Sequence, residues 1–271
     1  MILRLSRVLT PLPFLWSLTQ ATPSLPLQDG EHLTYRVSWA IVPGAGDIKI
    51  EAHTDATAPE PCLIVTTTTS TRRLARLLLP FDAEARSIFD LQSGRLLSLT
   101  EKNSTREKKA EHTVSFNYTD RTALYTVPGS VPPPCTLTIP AGDPVDLIMG
   151  LLQTRSWDLK PGETRDALVL FDDDFYELTI HMARYEEMRT LLGTFQTVVL
   201  EPRMDKTPPR GMFKRGSSVR VWIAQDVHRL PVKFEVEFNI GTGTATLEAY
   251  QPGPARAMKP AASSDAKNSR P

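Results

Sequence analysis

Five histidines, His32, His53, His112, His181 and His228, are the side chains best suited to acid-base or metal chemistry. Their spacing supports neither. No two stand at i, i+2 or i, i+4, the separations that bring two imidazoles to one face of a strand or helix. The triplet Asp172-Asp173-Asp174 could supply paired carboxylates for glycoside chemistry or oxygen ligands for calcium. It lies between two strand patterns, where aspartate forms turns, and it lacks the alternating ligands and glycine of a calcium loop. A turn is expected there. There is no Gly-x-Ser-x-Gly elbow, no phosphate-cradling glycine loop and no Cys-x-x-Cys pair. The sequence therefore points to no catalytic residue, metal ligand or cofactor site, and it leans towards a non-catalytic role.

Two stretches have the composition of a binding surface. Residues 202–216 carry Arg203, Lys206, Arg210, Lys214 and Arg215 against the single acid Asp205, interleaved with Met204, Met212 and Phe213. Such a loop could meet phosphorylated lipid headgroups or anionic glycans; the plainer reading is a solvated loop docking its apolar residues on the core. Residues 71–80 interleave Arg72, Arg73 and Arg76 with Leu74, Leu77, Leu78 and Leu79. A short amphipathic helix or turn is expected, either packing its leucines on a sheet or covering a cavity mouth.

The elements that would position these residues are strands. Val219–Tyr250 holds three runs of alternating apolar and polar residues with short connections, which predicts an antiparallel meander. Leu33, Tyr35, Val37, Trp39 and Ile41 alternate in the same way near the start, and further short runs follow between Pro- and Gly-rich breaks. Residues 101–111 read as a solvated tip of mixed charge. One helix is predicted over Asp143–Arg155, with Asp143 as its cap, Pro144 at the first position and Val145, Ile148, Leu151 and Leu152 on its apolar face.

The chain has 271 residues, 14 glycines, 23 prolines and a formal net charge of zero. Its length suits one large β domain, and its charge balance gives no field for nucleic acid. Arg4 and Arg7, the mostly apolar run Val8–Leu18 and the small residues near Ala21 read as a secretory signal over residues 1–21. Residues 22–29 then form a linker, 30–250 a single β domain and 251–271 a disordered tail. No later run approaches the roughly 18 apolar residues of a transmembrane helix. Cys62 and Cys135 could pair in an oxidising compartment or remain two unrelated thiols.

Several motifs recur in order. They are Gly30-Glu31, Leu33, Tyr35, Val37-Ser38-Trp39 and a glycine turn; Asp143–Arg155 ahead of Leu159-Lys160-Pro161-Gly162; Leu192-Gly193-Thr194-Phe195; and Val221-Trp222-Ile223 with Asp226 and Arg229–Val232. In these the chain resembles the bacterial exported family of unknown function numbered 3108 (DUF3108). The resemblance covers about Gly30–Tyr250. It implies an exported all-β domain and brings no activity or catalytic residues. A looser likeness is to lipoprotein-carrier half-barrels.

The expected fold is all-β with one main helix, a curved antiparallel sheet or half-barrel wrapping that helix. The expected role is a non-catalytic protein of the bacterial periplasm or cell envelope that binds or carries a lipid or other amphiphile. Trp39, Leu77, Leu78, Leu151 and Phe234 would line an apolar cavity, with Arg210, Lys214 and Arg215 meeting the headgroup. An envelope scaffold that binds another protein, and a hydrolase of an envelope polymer, are the alternatives.

Overall fold

The computed structural model describes residues 25–129, 134–209, 213, 217–238 and 241–254. The expected signal, most of the expected tail and Arg210, Lys214 and Arg215 lie outside them.

The first half of the chain supplies β1 (His32–Trp39), β2 (Val42–Asp55), β3 (Cys62–Thr71), helix α1 (Arg73–Leu78), β4 (Phe81–Asp90), β5 (Leu96–Thr105), β6 (Lys109–Asn117), β7 (Thr122–Thr126) and β8 (Cys135–Thr138). The second half supplies β9 (Val145–Asp146), helix α2 (Leu147–Leu152), a 3-10 turn (Gln153–Ser156), β10 (Thr164–Phe171), β11 (Asp174–Thr190), β12 (Gly193–Arg203), β13 (Ser218–Ala224), β14 (Pro231–Phe238) and β15 (Gly241–Gln251). Among the described residues, all fifteen strands join one sheet in the order β8-β7-β6-β5-β4-β3-β2-β1-β15-β14-β13-β12-β11-β10-β9. Two meanders thus meet where the first strand pairs with the last. Every pairing is antiparallel except the two-residue contact of β9 with β10.

The sheet is curved, and its register breaks at Ile88/Phe89, Met182/Arg184 and Trp222/Ile223 mark bulges that bend strands. Its flanks come together. Ser87 of β4 donates to Asp146 at the start of α2 (2.5 Å), and the Tyr125 hydroxyl of β7 donates to Asp172 beside β10 (3.2 Å). Helix α2 lies between two apolar clusters. Met149 and Leu152 pack with Leu63, Phe89, Leu99 and Val114, whereas Leu151 packs with Val169, Ile180, Leu200 and Val221. Gly150 permits this fit, because a Cβ there would stand 2.6 Å from Cγ1 of Val169.

The expected curved, strand-rich sheet around a helix is present. The helix is shorter than Asp143–Arg155. Its cap is Asp146, which accepts from the Met149 amide (2.9 Å), because Val145 and Asp146 are first used as a strand against β10. Asp143 instead pairs with Arg95 (3.1 Å). Leu27, expected in a linker, is buried in the core. Gly253, expected in the tail, packs so tightly on Asp29 that no Cβ fits. Cys62 and Cys135 are both free, one buried on β3 and the other exposed on β8, five places away in the sheet.

Candidate functional site at the open end of the sheet

Strand register defines two ends. Trp39 lies opposite Gly243, Gly46 opposite Thr71, and Phe81 opposite Thr105. The β1–β2 turn, α1, the β5–β6 turn and the β14–β15 turn therefore share one end. Asp172 joins them through Tyr125.

At this end α1 holds its leucines away from the core. Leu74, Leu77, Leu78 and Leu79 are 57, 73, 72 and 64% exposed, and Ile41 of the neighbouring turn is 95% exposed. The leucines were expected to pack on the sheet or to line a cavity; they do neither. What fixes the helix is polar. Arg76 makes a two-pronged ion pair with Asp82 (2.8 Å), Arg72 pairs with the buried Asp47, and Arg106 donates to the Leu77 carbonyl (2.7 Å). Arg73, Lys108 and Lys109 make no ion pair among the described residues. The helix thus presents apolar side chains beside uncompensated positive charge.

The five residues expected around one cavity are not brought together. Trp39, 36% exposed, lies over Gly243, whose missing side chain makes room for the indole. Leu77 and Leu78 are on the rim. Leu151 is in the core, and Phe234 packs at a tilt against Tyr35 with ring centroids 5.2 Å apart.

Below the rim lies a polar layer that the sequence reading did not assign. Glu101 and His112 are direct partners across β5 and β6. Two residues further along each strand stand Leu99 and Val114, both fully buried. Strand period two therefore puts Glu101 and His112 on the core face. The Nε2 atom of His112 is 3.2 Å from Glu101 Oε2, yet it has no hydrogen bond of proper geometry. Its ring stacks on Tyr125, with centroids 5.0 Å apart. Burial and the nearby Asp172 carboxylate push the Tyr125 hydroxyl up to about 12, so it remains a proton donor at neutral pH. Beneath this layer Asp146 is buried. Burial holds its carboxyl above the usual range; hydrogen bonds from Ser87 and the Met149 amide oppose that rise. On β4, Ala83 and Ala85 continue the face of Ser87 towards the rim and are only half-buried, and Asn103 on β5 is exposed. The core thus opens from a buried floor at Ser87 and Asp146 to a solvated mouth.

The signal for this layer was present. His112 precedes the Val114 and Phe116 alternation by the same step of two, but the charge of residues 101–111 suggested a solvated tip. Only the turn around Thr105–Lys108 is one. The expected turn at Asp172-Asp173 forms, with Asp172 at positive φ.

A separate surface groove of about 490 Å³ lies beside β12 and β13. Arg203, Met204, Phe213, Arg220 and Glu237 are among its walls.

One solved structure supports the fold. A β-barrel-like protein from Brucella abortus, of the domain of unknown function DUF1849, superposes with a TM-score of 0.54 at 9% identity, over 84% of this chain and 99% of that one. A Bacteroides fragilis protein with a YmcC-like fold gives a TM-score of 0.35 at 11% identity, over 84% of this chain and 98% of that one. No curated protein matches significantly. The model of a family described as a protein of unknown function, DUF3108, matches residues 34–248, so the chain belongs to the DUF3108 family.

Proposed function

We propose that this protein is a non-catalytic binder of amphipathic molecules in the bacterial cell envelope, and that it meets a lipid surface with the open end of its sheet. The observation that carries this reading is helix α1, whose leucines are exposed while Arg72 and Arg76 are tied into the sheet. Leucines at this exposure forgo the roughly 1.5–3 kcal/mol that full burial of each would contribute. A bilayer interface would supply that burial. Arg73, Lys108 and Lys109 would each add about 1 kcal/mol beside an anionic leaflet.

This differs from carriage in an apolar interior cavity. The residues expected to line such a cavity are divided between rim and core, and α2 packs between the two clusters. The lipid contact proposed is at the mouth.

Vesicle flotation tests it. The purified protein should float with vesicles of phosphatidylcholine and phosphatidylglycerol. Replacing Leu77 and Leu78 by Asp should reduce the bound fraction at least tenfold with little change in melting temperature. A wild-type protein that stays with the soluble fraction, or a double variant that floats as well as wild type, would exclude this role.

A further inference from the structure

We infer that the polar layer inside the open end is a receptor for a primary ammonium group. On the lipid-surface reading above, on which this step rests, that group is the amine of a lipid headgroup.

The layer is built to accept hydrogen bonds. Glu101 is about one-third exposed towards the mouth, and its carboxylate lies beside His112 and beside no Arg or Lys among the described residues. Asp172 accepts from the Tyr125 hydroxyl, which leaves further lone pairs on its carboxylate. Neither carboxylate pairs with an Arg or Lys among the described residues. The His112 side chain is only 9% exposed, and its Nε2 lacks a hydrogen bond. A buried, unsatisfied polar atom is costly unless something occupies it. In the neutral tautomer protonated at Nδ1, Nε2 accepts from a donor, and the neighbouring carboxylate cannot be that donor.

For that tautomer, a donor with positive charge would satisfy both Nε2 and the carboxylate beside it. A primary ammonium brings three N–H groups and one charge. Glu101, Asp172 and His112 Nε2 offer it acceptors around Tyr125. A bare metal ion suits the layer less well: no three His, Cys, Asp or Glu groups among the described residues are close enough to hold one, whereas the longer N–H···O contacts of an ammonium allow wider spacing.

The depth of the site fits a headgroup. Glu101 lies four residues down β5 from the Thr105–Lys108 turn, about 13 Å at roughly 3.3 Å per residue. A lipid whose tails stay among the α1 leucines would extend its polar end into the mouth. Ala83 and Ala85 leave that side of the wall without bulk.

The test uses the full chain and vesicles of fixed phosphatidylglycerol content in which phosphatidylcholine is replaced by phosphatidylethanolamine. The wild-type protein should bind the amine vesicles at least fivefold more tightly. N-monomethyl and N,N-dimethyl headgroups should lower binding stepwise as donors are lost. Glu101→Gln with Asp172→Asn should remove the preference while leaving binding to amine-free vesicles intact. Equal binding across the methylation series, which needs no variant, would overturn the inference, as would a folded double variant that keeps the preference. His112 ring resonances give a second readout. A shift with vesicles alone assigns the lipid as source; a shift with ethanolamine as well makes free amines ligands of the same site; no shift with either overturns the site. If no vesicle binds but ethanolamine still moves His112, the lipid-surface reading fails and the ammonium site stands.

Discussion

The two ends of the sheet treat polar groups in opposite ways. At the end away from α1, nearly every buried charge is answered from within the protein. Glu31 is 2% exposed and meets Arg155 (2.8 Å), the Tyr250 hydroxyl (3.0 Å) and the Gln28 amide (2.8 Å). Arg155 also donates to the carbonyls of Pro26 and His228, and Arg229 donates to those of Arg155 and Trp157. The 3-10 turn, the β13–β14 turn and both ends of the described chain are locked by this network, and Leu27 seals the core beneath it. At the open end, Glu101, His112 and Asp172 keep spare capacity and the leucines face solvent. The same fold places stability at one end and unsatisfied chemistry at the other, a division expected where binding groups are held by a rigid scaffold.

This contrast can be broken experimentally. The largest effect should come from Arg155→Ala, which leaves the Glu31 carboxylate buried without its cation; about 3–5 kcal/mol of stability should be lost, read as a lower urea midpoint. A smaller loss, about 1–3 kcal/mol, is expected for Ser87→Ala at the floor of the mouth, where a buried carboxylate loses a hydrogen bond. Asp146 also gives a pH signature. Its folded-state pKa is raised, so its favourable contribution is complete below the unfolded carboxylate value and is lost as pH rises through the folded one. Asp146→Asn keeps an oxygen to cap α2 and should flatten that decline, measured as urea midpoints upwards from about pH 4. Tyr35→Phe, which removes a donor to the Pro231 carbonyl, should cost roughly 1 kcal/mol. Leu77→Asp with Leu78→Asp should move stability by no more than about 0.5 kcal/mol while removing vesicle binding. A large loss of stability in that last variant would show that α1 belongs to the scaffold, and the contrast between the ends would fall.

Much of the scaffold was legible because strand period two is a local signal. Leu33, Tyr35 and Val37, and the three runs of the final meander, are where alternation puts them. The order of strands was not legible, because the pairing of β1 with β15 depends on residues some two hundred positions apart. The helix start was misplaced because Asp143 and Asp146 are both competent caps, and tertiary pairing chose between them: Arg95 takes one and β10 fixes the other. The candidate site was least visible. Leu151 and Phe234 look like Leu77 and Leu78 in the sequence because all are apolar, but apolarity does not say whether a residue is on a rim or in a core. Glu101 and His112 were hidden for the converse reason, being charged residues in a charged run that face inwards.

The pairing of β1 with β15 has a consequence for how the chain acquires its structure. The strands from β1 to β8 follow each other round the sheet, so each can pair with its predecessor as it emerges. The free edge of β1 has to wait until Gly241–Gln251 arrives, after the other strands of the sheet have been made. Until then that edge offers unpaired amides and carbonyls to any other strand. The last step, pairing the two terminal strands, closes a loop of some two hundred residues, and it should be the slow phase of refolding. A circular permutant that joins the two ends near Asp29 and Gly253 and opens between β8 and β9, at residues 139–143, would turn that step into a hairpin, leave each strand paired with its neighbours in the chain, and should shorten the slow phase.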